Sequence, residues 1–299
     1  RDVERSRGLG DVYKRQKYAD AKVFYPVTRS GRFMEVKAYF EGEAAKEAQP
    51  HIEAASQKIL ECESIDELEG ILADCATELL RIAGGEGGKD DIRNVLRGED
   101  FTGDPVAELR ASVAAARGER PWTPALAVAL AFRDTYDAVI DRASYGGRHT
   151  LGGKDFDAFV STLERVGFGP PVESARIMLE FLDEGRIRTE LVARGKEDLR
   201  DLAKEVGATV IIDAVQAPPG IVEGTLVGNL VEAGIGLRYA DTNALHVKPD
   251  ATLVGQKHLA AAGRMNEGLV LGHDTLKRTK QHGIDRWADR VSAAAVGHK

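Results

Sequence analysis

The middle of the chain has the apolar spacing of helices. Between residues 42 and 185, apolar side chains recur every three or four positions, as they do along one face of a helix. Ser64 and Glu67 form a capping-box pattern ahead of one such face, which comprises Leu68, Ile71, Leu72, Cys75, Leu79 and Ile82. The same spacing predicts helices over residues 42–61, 90–96, 106–117, 125–142, 155–166 and 172–184.

Towards the C-terminus, short apolar runs alternate with helical stretches. Strands are predicted at residues 22–28, 187–191, 208–215, 245–247 and 252–254, and helices at 196–206, 223–233 and 276–295. The run at 208–215 reads A-T-V-I-I-D-A-V, as expected of a strand that is buried on both faces. This alternation predicts the closing part of an α/β nucleotide-binding domain, joined to a large all-helical insertion.

These borders divide the chain into four segments. Residues 11–16 read D-V-Y-K-R-Q, which is similar to a translated sequencing adaptor, so we expect residues 1–16 to be an assembly scar. The alternative is a basic native N-terminus. Residues 17–41 and 186–299 are predicted to form the α/β domain, and residues 42–185 the helical region.

Composition narrows the classes of function. Without residues 1–16 the chain has 36 basic and 45 acidic residues, a net charge of −9, which argues against a general nucleic-acid surface. Its only cysteines, Cys62 and Cys75, suit neither a disulfide framework nor a metal site, and indicate a reducing, cytoplasmic compartment. No apolar run approaches 18 residues, so no membrane span is expected.

Two stretches have the composition of ligand-binding turns. Residues 250–276 contain two apolar runs, which end in Gly263-Arg264 and in Gly272-His273-Asp274-Thr275 before a predicted helix. Small residues ahead of a helix N-terminus allow a close backbone approach to an anionic or flat ligand. The other stretch, Arg29-Ser30-Gly31-Arg32, follows a predicted strand and suits a phosphate. The alternative for both is an ordinary turn, with Asp274 only as an N-cap.

Four passages in order resemble the FAD/NAD(P)-binding flavoproteins related to lysine and ornithine N-monooxygenases. The passages span residues 23–37, 168–185, 209–228 and 250–275, and include the turn F-G-P-P at 168–171. Thr28-Arg29-Ser30-Gly31 stands where that family has an S-R-x-G turn. The resemblance implies a Rossmann-like fold and the cofactors FAD and NAD(P)H.

The resemblance also assigns residues to the cofactors. It implies a nicotinamide-dinucleotide phosphate at Arg29, Ser30 and Gly31, with Arg32 nearby, and a flavin beside Pro218 and Pro219. It places Gly263, Arg264, Gly272, His273, Asp274 and Thr275 along the flavin. Arg264 stands where many flavoproteins have an aspartate that holds the ribityl hydroxyls, which puts that contact in doubt. A purely structural turn at 217–220 remains an equal alternative.

The sequence therefore carries two hypotheses. The first is an FAD- and NAD(P)-binding oxidoreductase, acting on a small molecule that the sequence does not identify; its G-x-G-x-x-G fingerprint is not in the chain and is expected upstream of it. The alternative is a non-catalytic dinucleotide-binding or scaffold protein whose helical region binds a partner. His273 next to Asp274 suits acid–base work but defines no catalytic residue. The histidines do not have a metal-ligand spacing.

Overall fold

The computed structural model describes residues 23–212, 214, 219–240, 242–272 and 282–296. Helices dominate this part of the chain, and no β-sheet occurs in it. The prediction of an α/β, Rossmann-like fold is therefore wrong. A strand pattern is a local property of the chain, whereas a sheet requires partners that are distant in sequence. In the described residues those partners supply only isolated bridges.

The described helices are numbered in chain order. They are α1 (Gly42–Glu61), α2 (Ile65–Ile82), α3 (Lys89–Arg97), α4 (Pro105–Ala116), α5 (Pro124–Ala143), α6 (Gly147–Thr150), α7 (Lys154–Gly167), α8 (Val172–Asp183), α9 (Leu199–Glu205), α10 (Leu226–Glu232) and α11 (His282–Val296), with a 3₁₀ turn at Arg264–Asn266. The helices predicted between residues 42 and 185 are confirmed, to within two residues at each end.

The predicted strands have a different outcome. Phe24 makes one parallel bridge to Ile187, and Thr28 N donates to Val192 O at 2.9 Å. The predicted strands at 245–247 and 252–254 become loops joined by the antiparallel bridges Arg238↔Leu245, Val247↔Leu253 and Thr252↔Ala260. The side chains of Val210, Ile211 and Ile212, which were predicted to be buried on both faces, are each more than 40% exposed.

The chain forms two compact units. The first, called the helical unit below, comprises the described residues within Gln16–Val139 and Leu151–Asp213. In it α1 packs on α2, α2 on α3, α3 on α7, and α4 on α8. One part of its core joins the segment around Val36 and Ala38 to α4 and α8, through Val36, Ala38, Leu109, Val113, Ala115, Leu126, Ala175 and Leu179. Burial of apolar surface of this kind is the main stabilising term.

The second unit, called the C-terminal unit, comprises the described residues within Ile140–Thr150 and Ala214–Lys299. Its core consists of loops and turns rather than helices, and its members are Ile221, Ala244, Leu245, Val247, Leu253, Leu269 and Val270. The unit therefore depends on backbone hydrogen bonds between turns, and these bonds position the candidate site.

Replacing Ser64 by alanine is expected to lower the free energy of unfolding of the helical unit by about 1 kcal/mol. Ser64 Oγ accepts the Glu67 amide at 3.2 Å, and the Glu67 carboxylate accepts the Glu63 amide at 2.8 Å. The loss is measured as a shift in the urea midpoint. Ser64→Asp, which also accepts at an N-cap, should retain the wild-type midpoint; a loss equal to that of Ser64→Ala would contradict the capping role.

Candidate functional site

Two of the turns predicted to face a flavin meet in the C-terminal unit. Gly220, directly after Pro219, donates its N–H to the Arg264 carbonyl at 2.9 Å. A Cβ at Gly220 would lie 2.3 Å from the Asn243 carbonyl oxygen, and the residue has φ +86°, so glycine is required there. Two predicted site segments about 45 residues apart in sequence are thus joined by one backbone hydrogen bond.

The turn at Gly263 has its own irregular backbone. Gly263 has φ +117°, and the chain then makes one 3₁₀ turn through Arg264. The Arg264 guanidinium lies 3.5 Å from the Glu267 carboxylate. Asn266, at the end of this turn, is fully buried; its Nδ2 donates to the Ala261 carbonyl at 2.7 Å, but its Oδ1 has no hydrogen-bond partner. The turn therefore presents a buried hydrogen-bond acceptor that the protein leaves unused.

An apolar hollow lies directly before Gly263 along the chain. Its volume is about 200 Å³, and its lining is Ala251, Ala260, Ala261, Ala262, Ile284 and Trp287. The Trp287 Nε1 is a buried donor without a hydrogen-bond partner. The hollow is smaller than the roughly 300–1,000 Å³ of typical ligand pockets, so it suits one edge of a ring system and not a whole dinucleotide.

The second small-residue turn is described only as far as Gly272. Gly272 has φ +74°. The residues before it are held by the segment after α5: the Tyr145 amide donates to the Leu269 carbonyl at 2.7 Å, and the Leu271 amide to Ser144 Oγ at 3.2 Å. The apolar run at 269–271, which ends in this turn, forms turns and a bend rather than a strand. Pro218, His273, Asp274 and Thr275 lie outside the described residues, so their predicted roles stay predictions.

The Arg29 turn lies in the helical unit. The Gly31 amide donates to Thr28 Oγ1 at 3.0 Å, and Gly31 has φ +71°, which closes a tight turn. Ser30 Oγ lies 3.3 Å from the Arg32 amide, and the Arg29 side chain is exposed. The turn thus presents one exposed guanidinium, and the predicted phosphate contact of Arg29 stays a prediction.

Arg32 has another role than the one predicted from the sequence. Its guanidinium makes two hydrogen bonds with Asp100, at 2.6 and 2.7 Å, and one with Glu108 at 3.0 Å. Arg32 is only 8% exposed. Burial alone would lower the pKa of Arg32, but the hydrogen bonds and charges of Asp100 and Glu108 outweigh burial and raise it. This arginine binds carboxylates of the protein instead of a phosphate.

A buried polar cluster around Arg32 was missed at the level of the sequence. In addition to Asp100 and Glu108 it contains Glu35 and Ser112, and Arg165 Nη2 lies 3.9 Å from Asp100 Oδ1. Its members come from the loop before α1, the loop before α4, from α4 and from α7. No periodicity or motif connects residues so far apart in sequence, so only the tertiary structure identifies the cluster.

Glu35 is the least satisfied member of this cluster. Part of the residue reaches the surface, but its Oε1 is buried and has no hydrogen-bond partner. Burial raises the pKa of Glu35 from its ordinary value near 4.5 to about 7, and Asp100 adds to the increase. The Ser112 hydrogen bond and the charges of Arg165 and Arg32 oppose it without prevailing. Glu35 is therefore an acid that changes charge near neutral pH.

The described residues offer little other chemistry. Cys62 and Cys75 are buried and are not in a disulfide, and burial raises the pKa of the Cys75 thiol to about 12, which makes it a poor nucleophile. No group of His, Cys, Asp and Glu suited to a metal ion occurs among the residues that were described. None of the described helices is long and apolar enough to cross a membrane.

Comparison of the chain with protein-family models, curated proteins and solved structures gave no match. The likeness to the FAD/NAD(P)-binding flavoproteins therefore stays a prediction from the quoted passages.

Proposed function

We propose that the chain binds a flavin ring through the C-terminal unit and acts as part of an NAD(P)H-dependent oxidoreductase. Binding of the ring at the hollow does not require a Rossmann-like sheet, which the described residues do not form. Its support is two unused polar atoms, one on a residue that lines the hollow and one on a residue bonded to the lining. Asn266 bonds to the Ala261 carbonyl through Nδ2, and Ala261 lines the hollow together with Trp287.

The two orphaned atoms have opposite hydrogen-bonding character. Asn266 Oδ1 accepts a hydrogen bond and Trp287 Nε1 donates one, and both are buried without a partner. Each such group costs about 1–3 kcal/mol unless a ligand or water satisfies it. The pyrimidine edge of a flavin carries an N–H between two carbonyl oxygens and so meets both requirements. The apolar alanines suit the flat faces of the ring.

The residues of the chain would bind and shield the cofactor. A bound flavin would accept a hydride from NAD(P)H and pass electrons to an acceptor. Asn266 and Trp287 would fix the polar edge of the ring, and Ala260, Ala261 and Ala262 would exclude water from it. The exposed guanidinium of Arg29 would contact a phosphate of the nicotinamide dinucleotide. Two buried cysteines that are not in a disulfide support a reducing compartment such as the cytoplasm.

The position of the hollow separates this proposal from the scaffold alternative. A cleft beside residues 263–275 is expected for the flavoprotein hypothesis, whereas the scaffold hypothesis expects an apolar groove on the helical region. The hollow includes Ala262, the neighbour of Gly263. This observation favours a small ligand over a protein partner.

Lumiflavin, which is the flavin ring without the ribityl chain and phosphates, is the most specific probe of the proposed ring-binding site. We expect the purified chain to bind it weakly and to quench its fluorescence. Asn266→Ala should raise the dissociation constant about tenfold, the equivalent of one hydrogen bond of about 1.4 kcal/mol. Ala261→Phe, which fills the hollow, should abolish binding.

The matched control is Asn229→Ala, because Asn229 is an exposed asparagine in α10 of the same unit. It should bind lumiflavin as the wild type does. Equal binding by the Asn229→Ala, Asn266→Ala and Ala261→Phe variants would refute the proposed ring-binding site. An absence of lumiflavin binding by the wild type would refute it as well.

A further inference from the structure

Residues 35–38 are hydrogen-bonded to three parts of the helical unit. They are called the docking segment below. The Glu35 amide donates to the Arg165 carbonyl at 3.3 Å at the end of α7. The Val36 amide donates to Ser112 Oγ of α4 at 3.1 Å. The Lys37 amide donates to the Pro170 carbonyl at 3.0 Å. Every second side chain of the segment, Val36 and Ala38, is buried in the core.

The turn Phe168-Gly169-Pro170-Pro171 fits closely against the docking segment. A Cβ added to Gly169 would lie 1.5 Å from the Glu35 carbonyl oxygen, so only glycine permits this approach. Lys37 also makes a parallel bridge to Pro171. The F-G-P-P turn at residues 168–171 thus packs directly against the backbone of Glu35.

The side chain of Glu35 faces groups of both charges from every element around it. Arg165 of α7 and Arg32 of the same loop are cationic, whereas Asp100 before α4 is acidic. Ser112 of α4 bonds to the Glu35 carboxyl group and also accepts the Val36 amide. Glu108 of α4 neutralises Arg32 together with Asp100. Arg32 therefore already pairs with two carboxylates and can stabilise the ionised form of Glu35 only weakly.

We propose that Glu35 is a proton-operated latch, which holds the docking segment on α4 and the Phe168–Pro171 turn when protonated and releases it when ionised. The buried Oε1 makes no hydrogen bond. A neutral carboxyl group tolerates that environment, but a carboxylate does not, because burying an unpaired charge is costly. Detachment of the segment returns the carboxylate to water.

The direction of the pH dependence of opening follows from the pKa of Glu35 in the two states. The pKa of Glu35 is about 7 in the closed state and is expected near 4.5 when the segment is detached and solvated. The closed state therefore holds a proton that the open state releases between these values. Opening becomes about tenfold more favourable for each pH unit between roughly 5 and 7, and it levels off above 7.

Hydrogen–deuterium exchange of the peptide covering residues 33–40, corrected for the intrinsic pH dependence of exchange, tests this latch in the full chain. We expect protection in the wild type to fall through pH 5–7 and then to level off. Glu35→Gln cannot ionise and should show constant protection. Glu61→Gln, at an exposed position on α1, should behave as the wild type.

A second variant separates the latch from simple packing. Ser112→Ala removes the acceptor of the Val36 amide, so it should lower protection at every pH. It also removes the hydrogen bond that lowers the pKa of Glu35, so the fall in protection should keep its slope and extend to a higher pH. The latch is refuted if wild-type protection does not change between pH 5 and 8, or if Glu35→Gln keeps the wild-type slope. Protection that increases with pH would also refute it, because that result means that Arg165 moves to pair with the carboxylate.

Discussion

Replacing Arg32 by alanine is expected to lower the free energy of unfolding of the helical unit by about 3–5 kcal/mol, the usual effect of breaking a buried ion pair from one side. Arg32 makes three hydrogen bonds to Asp100 and Glu108, whose side chains are only 15% and 20% exposed. Without the guanidinium both carboxylates remain partly buried, close to each other and to Glu35. The loss therefore comes mainly from the uncompensated charges that stay behind.

Urea denaturation followed by Trp122 fluorescence measures this loss in the helical unit. Trp122 stacks on Phe40 with the ring centroids 4.7 Å apart, and a Trp287→Phe background removes the other indole. Arg81→Ala is the matched control, because Arg81 pairs with Glu47 and Glu78 and all three side chains are more than 40% exposed. Ion pairs between exposed side chains contribute little, so the urea midpoint of this variant should stay close to that of the wild type.

A triple variant tests the cause of the loss. When Arg32→Met is combined with Asp100→Asn and Glu108→Gln, no carboxylate of the pair stays behind, so part of the stability should return. If Arg32→Ala costs no more than Arg81→Ala, or if the triple variant is less stable than Arg32→Ala, the carboxylates are not the source of the effect.

The helices between residues 42 and 185 were predicted correctly because their signals lie in neighbouring residues. The helix after Ser64 has its cap, its apolar face and its end within about twenty residues, and the structure confirms it as α2. Helix propagation uses hydrogen bonds between residues four apart, so such signals need no knowledge of the rest of the chain.

Strand and site predictions depended on distant residues, and they failed or stayed incomplete for that reason. The β-branched run at 208–212 has a strong local strand pattern, but no other described segment pairs with it through backbone bridges. Arg32 was assigned to a phosphate because its carboxylate partners lie 68 and 76 residues away. The turns at Gly220 and Gly263 were identified by their small residues, whereas the unused atoms of Asn266 and Trp287 are evident only after folding.

The second large effect is expected at Phe132 of α5, where an alanine should cost about 3–5 kcal/mol. Phe132 is 1% exposed, and its ring makes edge contacts with Tyr136 at 5.2 Å and with Phe168 at 5.7 Å between centroids. Gly167 makes room for the ring, since a Cβ there would lie 2.8 Å from Phe132 Cδ1. Truncation therefore leaves a cavity that the neighbouring helix cannot easily close.

The same Trp122 fluorescence assay, now with Phe132→Leu and Leu60→Ala as comparisons, measures the packing at this site. Phe132→Leu keeps part of the buried volume and should lose less than half as much as alanine, whereas Leu60→Ala changes a side chain that is 42% exposed and should cost roughly 1 kcal/mol or less. Phe168 leads into the turn that supports Glu35, so Phe132→Ala should also lower the exchange protection of residues 33–40 at all pH values. A loss at Phe132 no larger than that at Leu60 would mean that the three rings do not form the junction between α5 and the turn.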